Sequence, residues 1–171
     1  HQAHIPGRKG HDMTRRTAIR DPWVWGQMIL ATAVMFAVPW WAKRWGDLDP
    51  AGGSRWLGWT MIGLGLAVLY GGIAVLGRNL TPATEPLPQG QLVTRGLYRM
   101  VRHPIYLGVS TLLGGYGFLR GGWLSGVVVF AVSVAYFERK ARVEERFLVE
   151  RMAGYEEYRR RVPRILPGGW H

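Results

Sequence analysis

Four long stretches without a charged side chain constrain the fold of this chain more than any other feature. The first two, residues 23–42 and 56–77, contain 20 and 22 residues, and the next two, residues 104–119 and 123–137, contain 16 and 15. A helix of about 20 residues, rising about 1.5 Å per residue, crosses a hydrocarbon layer of about 30 Å. Arg120-Gly121-Gly122 separates the two shorter stretches and is typical of a tight turn. The sequence therefore predicts an all-α, polytopic integral membrane protein with about four transmembrane helices, the last two forming a short hairpin.

The chain of 171 residues is expected to form one domain. Its first apolar stretch is longer than the core of a signal peptide, and no small-residue cleavage pattern follows it, which favours a retained membrane helix. Residues 1–12 contain three histidines and resemble the remnant of an expression tag, so we assign residues 13–171 to a single membrane domain. The chain contains no cysteine, which excludes disulfides and cysteine-based metal sites.

The net charge of +11 is distributed unequally along the predicted topology. Counted from Met13 with four spans, 16 Lys and Arg residues lie on the side of the termini and four lie on the other side. Basic residues accumulate on the cytoplasmic side of membrane proteins. We therefore expect both termini and the loop before residue 104 to lie in the cytoplasm. Membrane lipids, rather than nucleic acid, are the expected partners of the basic residues.

A short motif, Arg102-His103-Pro104-Ile105-Tyr106-Leu107-Gly108, joins a basic loop to the third apolar stretch. Proline suits the first turn of a helix, and the residue before a proline is biased towards an extended conformation. The motif therefore marks the point at which a loop enters a membrane helix. It places Arg102, His103 and Tyr106 at the boundary between water and lipid.

Residues 138–153 continue the helical pattern beyond the fourth stretch, and residues 155–162 form a second short helix that Pro163 ends. On the first of these helices, Glu145 shares a face with four apolar residues, namely Ala141, Leu148, Val149 and Met152. A carboxylate in such a stripe is costly unless it has a partner. That partner is either a bound ligand or Arg142, three residues earlier. Glu144 instead neighbours two basic residues and suits a solvated ion pair.

Four segments, taken in order, carry a family resemblance. They are the motif at 102–108, Arg142-Val143-Glu144-Glu145, Gly154-Tyr155-Glu156-Glu157-Tyr158 and Arg161-Val162-Pro163-Arg164-Ile165-Leu166-Pro167. Together they resemble the isoprenylcysteine carboxyl methyltransferase and phospholipid methyltransferase superfamily, over residues 78–167. The resemblance implies a membrane enzyme that transfers a methyl group from S-adenosylmethionine to a lipophilic acceptor, most similar to isoprenylcysteine carboxyl O-methylation. N-methylation of a phospholipid amine and methylation of another isoprenoid acid or a thiol stay open.

The resemblance also implies which residues form the site. Carried onto this sequence, the cofactor-binding residues are Gln91, Leu92, Val93, Tyr98, His103, Pro104, Ile105, Tyr106 and Glu145. The residues assigned to catalysis and to orienting the acceptor are Arg102, Arg142 and Glu144. The substrate-binding arginine of the family aligns closest to Ala141, so that either Arg142 or Arg139 would take its place here. We expect the active site to face the cytoplasm from a bacterial or archaeal inner membrane. No metal site is predicted, because His103 has no second histidine near it between residue 13 and the terminal His171.

Two other classes of function stay open. Sterol reductases share the Arg-His-Pro-x-Tyr-x-Gly turn and a Tyr-x-x-Tyr ending but bind NADPH, and they are much longer. A non-enzymatic membrane scaffold would bind no cofactor and would tolerate substitution of Glu145. The sequence predicts neither the identity of the acceptor nor the oligomeric state.

Overall fold

The computed structural model describes residues 21–45, 52–77 and 91–168, which are helical over most of their length. The described helices are α1 (Pro22–Trp45), α2 (Gly53–Leu76), α3 (Pro104–Arg151) and α4 (Tyr155–Arg161), with a 3-10 turn at Gly96–Arg99. No β-strand occurs in these three ranges. The prediction of an all-α protein is confirmed, and α1, α2 and α3 are each long and apolar enough to cross a membrane.

The helix α3 is 48 residues long but reverses direction at Gly122. Gly122 has φ 73° and ψ −168°, a conformation that is accessible to glycine and strained for other residues. On either side of it the two arms touch: a methyl group on Gly117 would lie 2.9 Å from the Ser125 carbonyl oxygen. Further away, the rings of Tyr106 and Phe137 stack with centroids 4.9 Å apart. The arms at 104–121 and 123–151 are therefore antiparallel, which is the hairpin geometry predicted at residues 120–122.

The first arm of α3 packs against α2 through glycines. A methyl group on Gly58 would lie 2.8 Å from the Gly115 carbonyl oxygen, and one on Gly108 would lie 2.7 Å from the Leu69 nitrogen. Small residues allow membrane helices to approach until their backbones touch. The contact between these two elements is accordingly made backbone to backbone.

The helix α1 packs instead against the second arm of α3. Val34, Val38 and Val129 form an apolar cluster between them. Two hydrogen bonds follow along the same contact: Tyr136 Oη donates to the Trp23 carbonyl over 2.6 Å, and Lys140 Nζ donates to Gln27 Oε1 over 2.7 Å. Both faces of the hairpin are thus held by a neighbouring helix.

The C-terminal segment returns to the beginning of α3. Arg102 N donates to the Pro163 carbonyl and His103 N donates to the Arg164 carbonyl, each over 2.9 Å. Gly154, with φ 81°, turns the chain between α3 and α4, which end at residues 151 and 161 rather than at the predicted 153 and 162. The motif at 102–108, the extension of α3 and the C-terminal segment therefore meet at one end of the molecule.

Candidate active site

The beginning of α3 directs two polar side chains into the protein. Pro104 occupies the first turn, as the sequence predicts, and His103 before it is non-helical, with φ −125° and ψ 64°, but does not reach the extended conformation that the sequence favours. The two backbone hydrogen bonds to residues 163 and 164 hold this segment in place. Arg102 and His103 are consequently buried, with 4% and 7% of their surface exposed.

Glu145 is the centre of the buried polar cluster. Its Oε1 lies 3.1 Å from Arg102 Nε and 3.2 Å from His103 Nε2, and its Oε2 accepts a hydrogen bond from Arg164 Nη2 over 3.0 Å. The residue is 3% exposed, so water contributes little to the solvation of this carboxylate. Removing one partner of such a buried ion pair typically costs about 3–5 kcal/mol. The partners of Glu145 come from the other end of α3 and from the C-terminal segment, whereas Arg142 is exposed on another face of the helix.

Glu144 has a different environment from its neighbour. Its Oε2 accepts a hydrogen bond from Tyr106 Oη over 2.7 Å and lies 3.9 Å from His103 Nδ1. The rings of His103 and Tyr106 stack at 5.2 Å with an interplanar angle of 5°. The side chain of Glu144 is 21% exposed, against 4% for that of Glu145. Of the two carboxylates, Glu144 is therefore the one that an incoming polar group can reach.

Arg164 joins the cluster from the C-terminal segment, and sequence reasoning gave it no role. Its Nη1 donates to Glu138 Oε2 over 2.8 Å while its Nη2 binds Glu145. Burial alone would lower the pKa of Arg164, but the hydrogen bonds to Glu145 and Glu138 outweigh burial and raise that pKa. The sequence signal that could have identified Arg164 is its place in the segment 161–167, one of the four that carry the family resemblance.

The helix α4 closes the cluster from the outside. Arg102 Nη1 donates to the Arg159 carbonyl over 2.8 Å, and Tyr158 Oη donates to the Tyr98 carbonyl over 2.6 Å. Burial raises the pKa of the Tyr155 and Tyr158 hydroxyls above the ordinary tyrosine value. Four buried polar atoms of the cluster have no hydrogen-bond partner among the described residues, namely Arg102 Nε, which lies in the ion pair with Glu145, Arg102 Nη2, Arg164 Nε and Tyr155 Oη.

The structure brings together only part of the predicted site. Five predicted residues meet in the cluster, namely Arg102, His103, Tyr106, Glu144 and Glu145. Pro104 and Ile105 pack against α2, within 3.4 Å and 3.1 Å of a methyl group placed on Gly72. Arg142 does not reach the cluster.

The segment before the motif is arranged around the 3-10 turn. Tyr98 is buried, Leu92 and Val93 are half-buried, and Gln91 is exposed. Leu92 Cδ2 lies 3.9 Å from a methyl group placed on Gly154, so this segment approaches the turn between α3 and α4. The loop sequence Asn79-Leu80-Thr81-Pro82, which lies in the segment that resembles the family, is outside the described residues.

One cavity that the structure shows lies apart from the polar cluster. It has a volume of about 300 Å³ and lies at the opposite end of the hairpin, lined by apolar side chains and one serine, namely Ala37, Val38, Trp40, Trp41, Leu124, Ser125, Val128 and Val129. In the part of the chain that the structure describes, no three His, Cys, Asp or Glu side chains are placed to hold a metal ion. The polar cluster is therefore the candidate site.

Comparison with known proteins gives three relatives and one family. Residues 54–153 match the phospholipid methyltransferase family. The protein-S-isoprenylcysteine O-methyltransferase of Schizosaccharomyces pombe is 36% identical over 44% of this chain and 33% of its own length. The cobalt-zinc-cadmium resistance protein CzcN of Cupriavidus metallidurans is 33% identical over 68% of this chain and 55% of its own length. The methanethiol S-methyltransferase of Pseudomonas deceptionensis is 28% identical over 97% of this chain and 68% of its own length. The chain thus spans about half the length of the curated relatives it matches.

Proposed function

The chain belongs to the phospholipid methyltransferase family, and we propose that it is an integral membrane enzyme that methylates a lipophilic acceptor with S-adenosylmethionine. One observation carries the proposal. At the start of α3, Arg102, His103 and Tyr106 meet two adjacent carboxylates of the same helix. This cluster lies largely within the segment that matches the family, at the end of an apolar hairpin that a lipid can approach from the side.

The described residues fit the charged end of S-adenosylmethionine in kind. The amino-acid end of this cofactor carries an ammonium and a carboxylate, which require an anion and hydrogen-bond donors. Glu144 is a partly exposed anion, and Arg102 Nη2 is a buried donor without a partner among the described residues. When bound, the cofactor supplies an electrophilic methyl group.

The geometry divides the work between the two carboxylates. Because both oxygens of Glu145 are engaged, we assign Glu145 to positioning Arg102 and His103. Glu144 is then the carboxylate available to the cofactor ammonium, with Tyr106 Oη fixing its orientation. The predicted contacts of Gln91, Leu92, Val93 and Tyr98 belong to the same proposal, as walls of the cofactor site.

A carboxylate acceptor suits this cluster best. Acidic groups of ordinary pKa are ionised near pH 7, so an acceptor such as the carboxyl group of a prenylated cysteine needs no general base. The cluster then has to align the acceptor and exclude water, which are functions of position rather than of proton transfer. We therefore propose isoprenylcysteine-like carboxyl O-methylation as the activity.

The same proposal includes a topology of four membrane crossings. The antiparallel arms of α3 support two of them, and α1 and α2 supply the others. The distribution of 16 and four basic residues supports cytoplasmic termini, with the polar cluster facing the cytoplasm of a prokaryotic inner membrane.

A thiol acceptor is a second candidate, since the similarity to methanethiol S-methyltransferase spans 97% of this chain. The test incubates the purified protein in detergent with methyl-labelled S-adenosylmethionine and, separately, a prenylcysteine analogue, phosphatidylethanolamine or an alkyl thiol. A methyl ester releases labelled methanol in alkali, whereas a methylated amine or thioether does not. Alkali-labile label on the prenylcysteine analogue is the expected result. Alkali-stable label on the alkyl thiol would instead favour S-methylation over carboxyl O-methylation.

Cofactor binding separates the enzyme from its rivals. We expect S-adenosylhomocysteine, and not NADPH, to raise the melting temperature of the purified protein. A shift with NADPH alone would favour the reductase. No shift with either, together with no methyl transfer, would favour a scaffold.

A further inference from the structure

Three arginines continue the outward-facing stripe of the second arm of α3. The exposed residues of this arm include Leu124, Val128, Val132 and Ala135, followed by Arg139, Arg142 and Arg146. Their spacing of three and four residues places all seven on one face of the helix. The exposed face therefore changes from apolar to basic between residues 135 and 139, with no break in the stripe.

These arginines differ from the other exposed arginines of the C-terminal region. On α4, Arg159 and Arg160 pair with Glu156 at 2.7 Å and 3.4 Å, and Arg161 pairs with Glu157 at 2.5 Å. In the described ranges, Arg139, Arg142 and Arg146 form no ion pair or hydrogen bond. Three guanidinium groups thus lie along about 10 Å of one helix face without an ion-pair partner among the described residues.

The length of the arm brings these charges to the level of lipid headgroups. Its uncharged part, residues 123–137, is about 22 Å long as a helix, which is shorter than a hydrocarbon layer of about 30 Å. A short membrane helix is accommodated when flanking arginines extend along the helix to the interface. Arg139 and Arg142 are therefore drawn towards the phosphates of the leaflet.

We propose that Arg139, Arg142 and Arg146 form a binding face for the headgroups of anionic phospholipids. The guanidinium group presents paired N–H donors that match a phosphate, and the continuous apolar stripe supplies the contact for the acyl chains. Glu145 and Ala141 are buried on the inward side of the same turns. Lipid bound to this face fixes the depth of the polar cluster in the membrane. The inference rests on membrane insertion and not on the methyltransferase chemistry.

The test measures lipid selectivity without cofactor or acceptor. The protein is reconstituted in phosphatidylcholine vesicles, and electron paramagnetic resonance compares the association of spin-labelled phosphatidylglycerol with that of spin-labelled phosphatidylcholine. The variant Arg139→Gln/Arg142→Gln/Arg146→Gln is compared with Arg159→Gln/Arg160→Gln/Arg161→Gln, which removes the same charge from paired positions. We expect the first variant to lose about fivefold or more in preference for phosphatidylglycerol, and the control to retain it.

A third variant, Arg139→Lys/Arg142→Lys/Arg146→Lys, keeps the positive charge. It shows whether a loss in the glutamine variant comes from the missing charge or from misfolding. It is expected to keep most of the preference, since the positive charge supplies most of the attraction to an anionic headgroup and the paired donors of arginine add to it. Equal losses in the two glutamine variants would show that net charge alone attracts the lipid and would overturn the proposal. An unchanged preference for phosphatidylglycerol in the first variant would also overturn the proposal. An acidic protein would then be the alternative partner of this face.

Discussion

The two ends of the α3 hairpin are built in opposite ways. Around Gly115 and Gly122 the elements are held by apolar side chains and by backbones in direct contact, without a charged group between them. Around Glu145, the start of α3 is held to its far end and to the C-terminal segment by buried ion pairs. Close packing needs only small residues and tolerates lipid around it. Buried ion pairs hold charged groups in fixed positions at the cost of desolvation, which suits the active site proposed at that end.

The largest expected effect is at the polar end. Glu145→Gln leaves Arg102 buried without its counter-charge and Arg164 paired with Glu138 alone, so we expect a loss of about 3–5 kcal/mol in the free energy of unfolding. Unfolding in a graded mixture of mild and denaturing detergent measures it. A loss below about 1 kcal/mol would mean that water or another group, rather than Glu145, compensates the charge of Arg102.

At the apolar end, we expect a larger side chain to destabilise the protein by overpacking. A side chain at Gly58 in α2 would meet the backbone of the first arm of α3. Gly58→Val is therefore expected to lower the free energy of unfolding by about 3 kcal/mol. Gly63→Ala on the same helix is the control, because no atom lies within 4 Å of its added methyl group. Its stability should stay equal or rise by up to about 1 kcal/mol. Equal effects of the two substitutions would contradict the close contact of α2 and α3.

A third substitution sharpens the division between the two carboxylates. Glu144→Gln should reduce the affinity for S-adenosylmethionine by about tenfold or more while changing stability by about 1 kcal/mol or less. Calorimetric titration of Glu144→Gln with S-adenosylmethionine measures this affinity. The same titration of correctly folded Glu145→Gln is the comparison. Sequence reasoning alone predicts the larger loss of affinity for Glu145. If Glu145→Gln folds normally and loses more affinity than Glu144→Gln, that original assignment is correct.

The smallest effect concerns Tyr155, which is buried beside the cluster with its hydroxyl unpaired among the described residues. Its raised pKa means that the folded state holds this proton more tightly than the unfolded state. The stability it contributes is therefore complete below about pH 10, the value for an unperturbed tyrosine, and is lost as the pH rises above it. Tyr155→Phe should change stability little at pH 7 and should reduce the loss between pH 8 and pH 11. An unchanged alkaline loss in this variant would assign it to other groups.

Much of the fold followed from short stretches of sequence. Apolar length alone predicted α1, α2 and the helical arms of α3, and Pro104 predicted where α3 begins. Arg120-Gly121-Gly122 predicted the reversal because only glycine adopts the backbone conformation of Gly122 without strain. The motif at 102–108 also predicted that Arg102, His103 and Tyr106 would lie together.

The partners of Glu145 did not follow from the sequence. Local spacing suggested Arg142, three residues away, but the structure pairs Glu145 with His103 and Arg164, which are 42 and 19 residues away. The sequence determines where helices form and which residues are apolar, because transfer free energies and backbone preferences depend on a residue and its near neighbours. Which charges meet depends on how the hairpin closes and how the C-terminal segment returns across it. That is decided by packing between distant parts of the chain, so only the tertiary structure shows that Arg164 binds Glu145 and that Arg142 is left facing outward.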